Sequence, residues 1–472
     1  MSSGIGDELA AAIGGRYVVP AEAIEERYRV DVLGKYRSAP GWLVKPGSTE
    51  EVSRVVRIAA EHGLPVTVVG GQSGTCGGAI ATNGALALSL ERMNRIAEID
   101  TTSMALTVEA GCILQVAQEA VEAQGAFLPL DLGSRGSATV GGCIAANAGG
   151  NRVLRWGMMR EMVTGLEVVL ADGTIVSSLT KMIKDNAGYA WKQLMIGSEG
   201  TLGIVTKAVL RLRPRPVTEM TALVAVPDFA AVTRLLRNLE VSLSGQLSSF
   251  ELMWNDFYEA MTAAQLPARA RPLAPGRPFY VLLEMLGGDP EDDAAKFERV
   301  LMAELESGVI ADAVVAKSER ERQALWSVRE DMQPGLAALR PFTVYDVSMA
   351  LQLMPGFVDS VRSSVTAAFP GARLVFYGHA GDGNLHLIVH IGPDGAAHEA
   401  QVDALVYGAV WAVGGSIAAE HGIGTSRAPF LHLSRSPEEL ALMRRIKQAL
   451  DPLGILNPGK VLAPPAAGDA HG

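Results

Sequence analysis

Apolar residues fall on one helical face at Val52, Val55, Val56 and Ala59. Ser48 and Glu51 stand before them as a capping-box pair, and Gly63 marks a stop. The pattern predicts a helix between a short strand at 43–45 and a β-branched strand at 65–69 that runs into glycines. Further alternation of strands and helices is expected to about Pro214. Within it, 166–170 reads as a strand, Asp172-Gly173 as a turn and 174–177 as a second strand. The proline-rich stretch 211–218 (RLRPRPVT) reads as a boundary.

Beyond that boundary the pattern changes. Strands are expected at 221–226, 249–253, 280–285 and 344–349, and helices at 229–239, 292–307 and near 357–369. A hairpin is expected over 373–391. This order predicts an antiparallel sheet with helices on one face. A helix at 438–450 and the segment 455–458 follow, and the small, polar tail from Pro464 is expected to fray.

The chain has 472 residues, too many for one ordinary core. Its net charge of −10 argues against nucleic acid or an anionic membrane as a general partner. No uncharged apolar run reaches the length of a membrane span. Cys76, Cys112 and Cys143 form neither a disulfide framework nor a zinc-site spacing. With no targeting pattern in MSSGIGDELAAAIGG, the expectation is a soluble cytoplasmic protein.

The 51 glycines cluster. Gly70-Gly71-Gln72-Ser73-Gly74-Thr75 ends a strand, where successive backbone N–H groups can form a nest for phosphate oxygens. The stretch 129–151 (PLDLGSRGSATVGGCIAANAGGN) and 197–203 (GSEGTLG) are similar. Any one could be a tight surface loop; three in one domain point to a long, phosphate-bearing cofactor. No G-x-G-x-x-G follows a strand, so a Rossmann nucleotide site is not supported.

The stretch YGHAGDGNLH carries His379 and His386. If Asp382-Gly383 centres a two-residue turn, 379 pairs with 386, 380 with 385 and 381 with 384. The two imidazoles would then be directly opposed, with Cβ atoms about 4.5–5.5 Å apart, a spacing that suits one metal ion. Glu420-His421 adds a carboxylate and a further imidazole. Two imidazoles and a carboxylate leave open positions on a divalent metal. Histidines flanking a turn also suit a solvated hairpin, and zinc, manganese and iron are not separated on this basis. His62, His390, His398, His432 and His471 are assigned to structure or surface. No histidine lies between His62 and His379, so the glycine-rich segments offer no histidyl-flavin link. Cys76 and Cys143 leave a cysteinyl link open, but non-covalent flavin is favoured.

Together these segments resemble the vanillyl-alcohol-oxidase-type flavoproteins and, more narrowly, the FAD-linked D-2-hydroxy acid dehydrogenases. That group includes D-lactate dehydrogenases, the glycolate oxidase flavoprotein subunit and D-2-hydroxyglutarate dehydrogenase. GGQSGTCGG, PLDLG, GGCIAANAGG, KDNAGY, GSEGTLG, GHAGDGNLH, EHGIG and ILNPGK carry the likeness, in order, from about residue 40 to 462. It implies an α+β fold with a two-part FAD-binding domain and an antiparallel-sheet cap domain over the flavin ring. The implied boundaries are 1–217, 218–412 and 413–472.

The resemblance implies that Gly70, Gly71, Gln72, Ser73, Gly74 and Thr75 hold the pyrophosphate. Leu130, Asp131, Gly133, Ser137, Gly141, Gly142, Ala145, Asn147, Gly150, Glu199, Gly203, Ile204 and Asn457 would line the rest of a non-covalent FAD. His379, His386 and Glu420 match the family's metal ligands, for Zn or Mn, and His421 its base. Arg329, Asn384 and Tyr345 would contact substrate. The implied reaction takes a small D-2-hydroxy acid to its 2-oxo acid, with hydride to flavin N5 and electrons passed on to an electron-transfer protein or quinone. An oxidase using O₂ and a non-redox transferase of the alkyl-glycerone-phosphate-synthase kind are the alternatives, and a homodimer is among the expected assemblies. Val344 stands where the D-2-hydroxyglutarate enzymes carry a lysine, and Gln333 replaces a threonine, which puts a dicarboxylate substrate in doubt, while the overall similarity still leans toward that enzyme and leaves the substrate open.

Overall fold

The structure, a computed structural model, describes residues 2–264 and 270–463. The tail from Pro464, with His471, lies outside the described residues. The chain divides into two compact units: Met1–Gly149 with Gly157–Arg215 and Glu420–Gly472, and Gly150–Trp156 with Pro216–Ala419.

In the first unit, the strands Trp42–Val44, Leu86–Ser89 and Val66–Val69 pair in parallel, and Val18–Pro20 adds an antiparallel edge. The expected helix spans Thr49–Glu61 and buries Val52, Val55, Val56 and Ala59. Ser48 accepts from Glu51 N at 3.2 Å, while the Glu51 carboxylate reaches Gly47 N at 2.7 Å rather than Ser48. Val66 is also bridged in parallel by Leu456, so the C-terminal segment completes this sheet.

A second sheet runs Ile96–Asp100, Ala105–Glu109, Ile204–Arg211, Val163–Val169, Ile175–Ser178. Its pairings are antiparallel. This departs from the expected βα alternation, because a strand-and-turn pattern does not say which neighbour a strand takes. The Asp172-Gly173 turn does close the Val163–Val169 and Ile175–Ser178 hairpin, through Leu170 N to Thr174 O at 2.9 Å.

The second unit holds a seven-stranded antiparallel sheet, in the order Asp312–Val315, Thr218–Val226, Phe279–Gly287, Leu247–Trp254, Arg373–His379, Asn384–His390, Thr343–Ser348. All eight residues of Leu247–Trp254 are buried, so both faces are covered and the expectation of helices on one face is corrected. One face packs Met253, Tyr280, Leu282, Tyr377 and Ile388 against Phe257 and Met261 of the helix Asn255–Ala264 and Trp326 of Glu319–Glu330. Central strands buried on both sides lose the polar alternation that would have revealed a second helical layer.

The hairpin register also differs from expectation. Tyr377, not His379, pairs with His386. The turn takes four residues: Ala380–Asp382 form a 3₁₀ turn and Gly383 follows with φ 84°. A two-residue shift leaves every side chain on its original face. His379 and His386 therefore still share a face, as diagonal neighbours.

At the C-terminal end of the first unit, the buried Asp451 carboxylate accepts from Ile455 N at 3.0 Å and Leu456 N at 2.8 Å and pairs with Lys447. Lys447 also donates to Thr201 O and Leu456 O, each at 2.8 Å. Asp451→Ala leaves two amides without their acceptor and Lys447 without its counter-charge. An expected loss on the order of 3 kcal/mol should appear as a lower unfolding temperature, and an unchanged temperature would show that water replaces the carboxylate.

Candidate functional site

In the first unit, five distant glycine-bearing segments are brought together. A Cβ on Gly71 would lie 1.9 Å from Ser137 O, and one on Gly70 would lie 2.8 Å from Thr139 Oγ1. Only glycine permits the first approach. The Glu199 carboxylate accepts from Ile423 N at 2.7 Å and Gly424 N at 2.8 Å, fixing the loop that follows His421. Burial pushes the Glu199 carboxyl above its usual range, and those two amides oppose the shift. Asn457 donates from Nδ2 to Glu199 O at 2.6 Å and Gly78 O at 3.2 Å. Gln72, Glu199 and Asn457 all adopt φ between 45° and 53°, a left-handed backbone that ordinary side chains rarely take.

This arrangement fits a flavin dinucleotide on two counts. Its walls are backbone held close by glycine. Asn457 Oδ1 is buried without a hydrogen-bond partner, so the site holds an unanswered acceptor. The thiol of Cys143 is fully enclosed and pushed up to about 12 by burial, which makes it a poor nucleophile for a flavin link. Cys76 Sγ lies 3.0 Å from Arg427 Nη1.

In the second unit, the polar end of one sheet face carries the histidines. Their ring centroids are 5.3 Å apart at 82°. His379 Nδ1 lies 2.6 Å from Glu251 Oε1, and His386 Nδ1 lies 3.8 Å from Asp346 Oδ1. Glu251 accepting from His379 Nδ1 would leave Nε2 of that ring as the nitrogen toward a metal, the usual outer partnership of a metal-binding histidine. Glu420 opens the last stretch of the first unit, directly after Ala419, the last residue of the second. Two nitrogens and a carboxylate oxygen fit a divalent ion such as zinc or manganese. His421 Nε2 is 3.7 Å from Glu420 Oε1.

Asn384 and Arg329 are both buried in this unit. Asn384 Nδ2 donates to Asp346 Oδ1 at 2.7 Å, and its Oδ1 is buried without a partner. Arg329 Nε donates to Glu251 Oε2 at 3.0 Å, with the guanidinium 4.6 Å from the Tyr377 ring centroid. Tyr345 is a correction. It pairs with Leu387, one residue from the Asp346–His386 pair, so it points to the opposite face. Its hydroxyl donates to Asp403 Oδ1 at 2.7 Å, and burial raises its pKa well above the ordinary phenol. Gly150 belongs to the second unit, apart from the other expected flavin-lining residues.

Two family models match the chain: an FAD binding domain over residues 40–178 and the C-terminal domain of FAD linked oxidases over 215–461. The mitochondrial D-2-hydroxyglutarate dehydrogenase of Bos taurus is 39% identical over 462 residues, covering 97% of this chain and 83% of that protein. The D-2-hydroxyglutarate dehydrogenase of Xanthomonas citri pv. viticola is 38% identical, covering 92% of each. The chain belongs to the FAD-linked D-2-hydroxy acid dehydrogenase family.

Solved structures agree on the fold of this family. A 4-ethylphenol oxidase from Gulosibacter chungangensis superposes with TM-score 0.74 at 18% identity, over 98% of both chains. An alkyldihydroxyacetonephosphate synthase gives 0.73 at 17%, over 96% of this chain and 85% of the other. At such identities the likeness concerns the vanillyl-alcohol-oxidase-type fold alone. The cytoplasmic expectation is overturned by the relatives, since the proteins of Bos taurus, Oryza sativa, Arabidopsis thaliana and Schizosaccharomyces pombe are named mitochondrial. Few cysteines and acidic charge suit any reducing compartment, so they carry no address. No helix of the described residues is long and apolar enough to cross a membrane.

The dehydrogenase's buried carboxylates were missed by motif reading. Glu251, Glu284 and Asp346 are each 0% exposed, inside strands that otherwise read as apolar. The signal was available, because a charge in a doubly covered strand demands a partner. In the first unit, Gly71→Ala is expected to force the 70–75 loop off Ser137. The variant should purify with little FAD, measured by its absorbance; normal FAD content would refute the cradle.

Proposed function

We propose that this enzyme oxidises a small D-2-hydroxy acid to the 2-oxo acid, with FAD held by the first unit and a divalent metal held by His379, His386 and Glu420. Bound FAD supplies the two-electron acceptor, and the metal supplies a Lewis-acid site for the substrate's oxygens. The observation that carries this reading is the pair of buried imidazoles, His379 hydrogen-bonded at Nδ1 to buried Glu251 and His386 near buried Asp346, beside the unanswered Asn384 Oδ1.

His379, His386 and Glu420 hold the metal. Arg329, fixed through Nε, offers its outer nitrogens to the substrate carboxylate, for which a planar fork is suited. Asn384 Oδ1 accepts from the substrate hydroxyl or orients it. His421 takes the hydroxyl proton as general base, its imidazole being adjacent in sequence to a metal-holding carboxylate. The electrons then pass to an electron-transfer protein or quinone, as the relatives' designation as dehydrogenases supports.

The tail of the substrate is the finer question. Val344 pairs with Ile388 on the face that carries His386, two residues further along both strands. That apolar pair favours a monocarboxylate such as D-lactate over a second carboxylate at this position, because an unpaired buried charge is costly. Anaerobic bleaching of the flavin across a panel of D- and L-2-hydroxy acids decides it. D-Monocarboxylates should reduce the flavin with higher kcat/KM than D-2-hydroxyglutarate, and a preference for the dicarboxylate would overturn this assignment.

His421→Ala should lower the rate of flavin reduction by about 10²–10⁴-fold with FAD still bound. Wild-type rates would sink the base role. Chelation should suppress turnover and added Zn²⁺ or Mn²⁺ restore it. Full activity in protein verified to be metal-free would refute the metal reading. Rapid-mixing reoxidation by O₂ should be slow; fast reoxidation would make the enzyme an oxidase.

A further inference from the structure

Glu251 sits mid-strand in Leu247–Trp254, 0% exposed. Its two oxygens go to different partners: Oε1 to His379 Nδ1 at 2.6 Å and Oε2 to Arg329 Nε at 3.0 Å. A carboxylate only accepts, so the imidazole must donate from Nδ1. That fixes the tautomer whose Nε2 carries the lone pair a metal needs. The same group holds Arg329 by Nε alone, with the guanidinium against the Tyr377 ring, whose centroid is 5.0 Å from that of His386.

We infer that Glu251 is a positioning residue that sets two functions at once: it holds His379 in its metal-binding tautomer and Arg329 in its carboxylate-binding pose. This deepens the proposed function and rests on its metal and substrate assignments. Glutamine at this position keeps the volume but has a single oxygen. An amide nitrogen facing His379 would donate to Nδ1 and drive the proton to Nε2, closing the metal nitrogen. An amide nitrogen facing Arg329 would set donor against donor. Either orientation sacrifices one partner, and neither can serve both with the native geometry.

The test uses the full chain with FAD bound and metal removed. Zn²⁺ titration against a competing chelator should show Glu251→Leu, which removes both acceptors, weakened by about 10–100-fold. Pyruvate, as a carboxylate probe read by perturbation of the flavin absorbance, should also bind the metal-free Glu251→Leu protein more weakly than the metal-free wild type, whereas Glu251→Gln should lose only one of the two. In an Arg329→Met background, the effect of Glu251→Leu on pyruvate should vanish while its effect on Zn²⁺ persists. A merely structural role would move the unfolding temperature without this split.

A measurement without mutation at Glu251 guards against a variant that fails to fold. In wild-type protein with ¹⁵N-labelled histidine, the resonance lost in His379→Gln should report a proton on Nδ1 in the absence of metal. A neutral imidazole protonated on Nε2 alone, or Zn²⁺ and pyruvate affinities both unchanged within twofold in Glu251→Leu, would overturn the inference. If the wild type itself bound no Zn²⁺, the metal reading would fail. The tautomer and pyruvate results would still decide the role of Glu251.

Discussion

A carboxylate buried on the inward face of a sheet cannot be solvated, so the structure around it must answer it with donors. Three such groups organise the polar end of the second unit. Glu251 is answered by His379 and Arg329, Glu284 by Arg152 and Trp326, and Asp346 by Asn384 with His386 nearby. The apolar end of the same face is packed by Tyr280, Leu282 and Phe257. Packing thus makes the site rigid, and the carboxylates choose which way its nitrogens and guanidinium point. Without the covering helices these acids would be hydrated, and their hold on the histidines would be no firmer than a surface pair.

The first unit solves a different problem by a different means. Its functional surface is mostly backbone, contributed by segments far apart in the chain. Glycine lets Gly71 lie against Ser137 O, while Glu199 and Asn457 tie the segments with side-chain bonds to main chain. The strain of three non-glycine residues at positive φ is located in these same segments. One unit therefore shapes its surface with the main chain, and the other orients side chains on a sheet.

Local signals were legible where chemistry is local. The Ser48 cap, the Asp172-Gly173 turn and the glycine clusters announce themselves within a few residues, and the ordered motifs made the family recognisable. What depends on partners was not. The sequence of alternating elements in the first unit did not say that five strands would pair antiparallel. The second helical layer was hidden because doubly covered strands read as uniformly apolar. Tyr345 belonged to a motif-bearing strand, but its face is set by pairing with Leu387. Glu251 lies more than a hundred residues from His379, in a segment without a motif, so only the fold could reveal its role.

The hairpin turn between the two histidines carries a rule about how this family can vary. The observed pairing is displaced by two residues from the tight-turn expectation, and the imidazoles still share a face because strand side chains repeat with period two. The face is set by the pairing of the strands on either side of the turn, not by the turn itself. Residues added to or removed from the 380–383 connection can be absorbed by a turn of another size with both nitrogens kept on the same side. A one-residue slip of either strand against its neighbour would instead turn its imidazole into the opposite core.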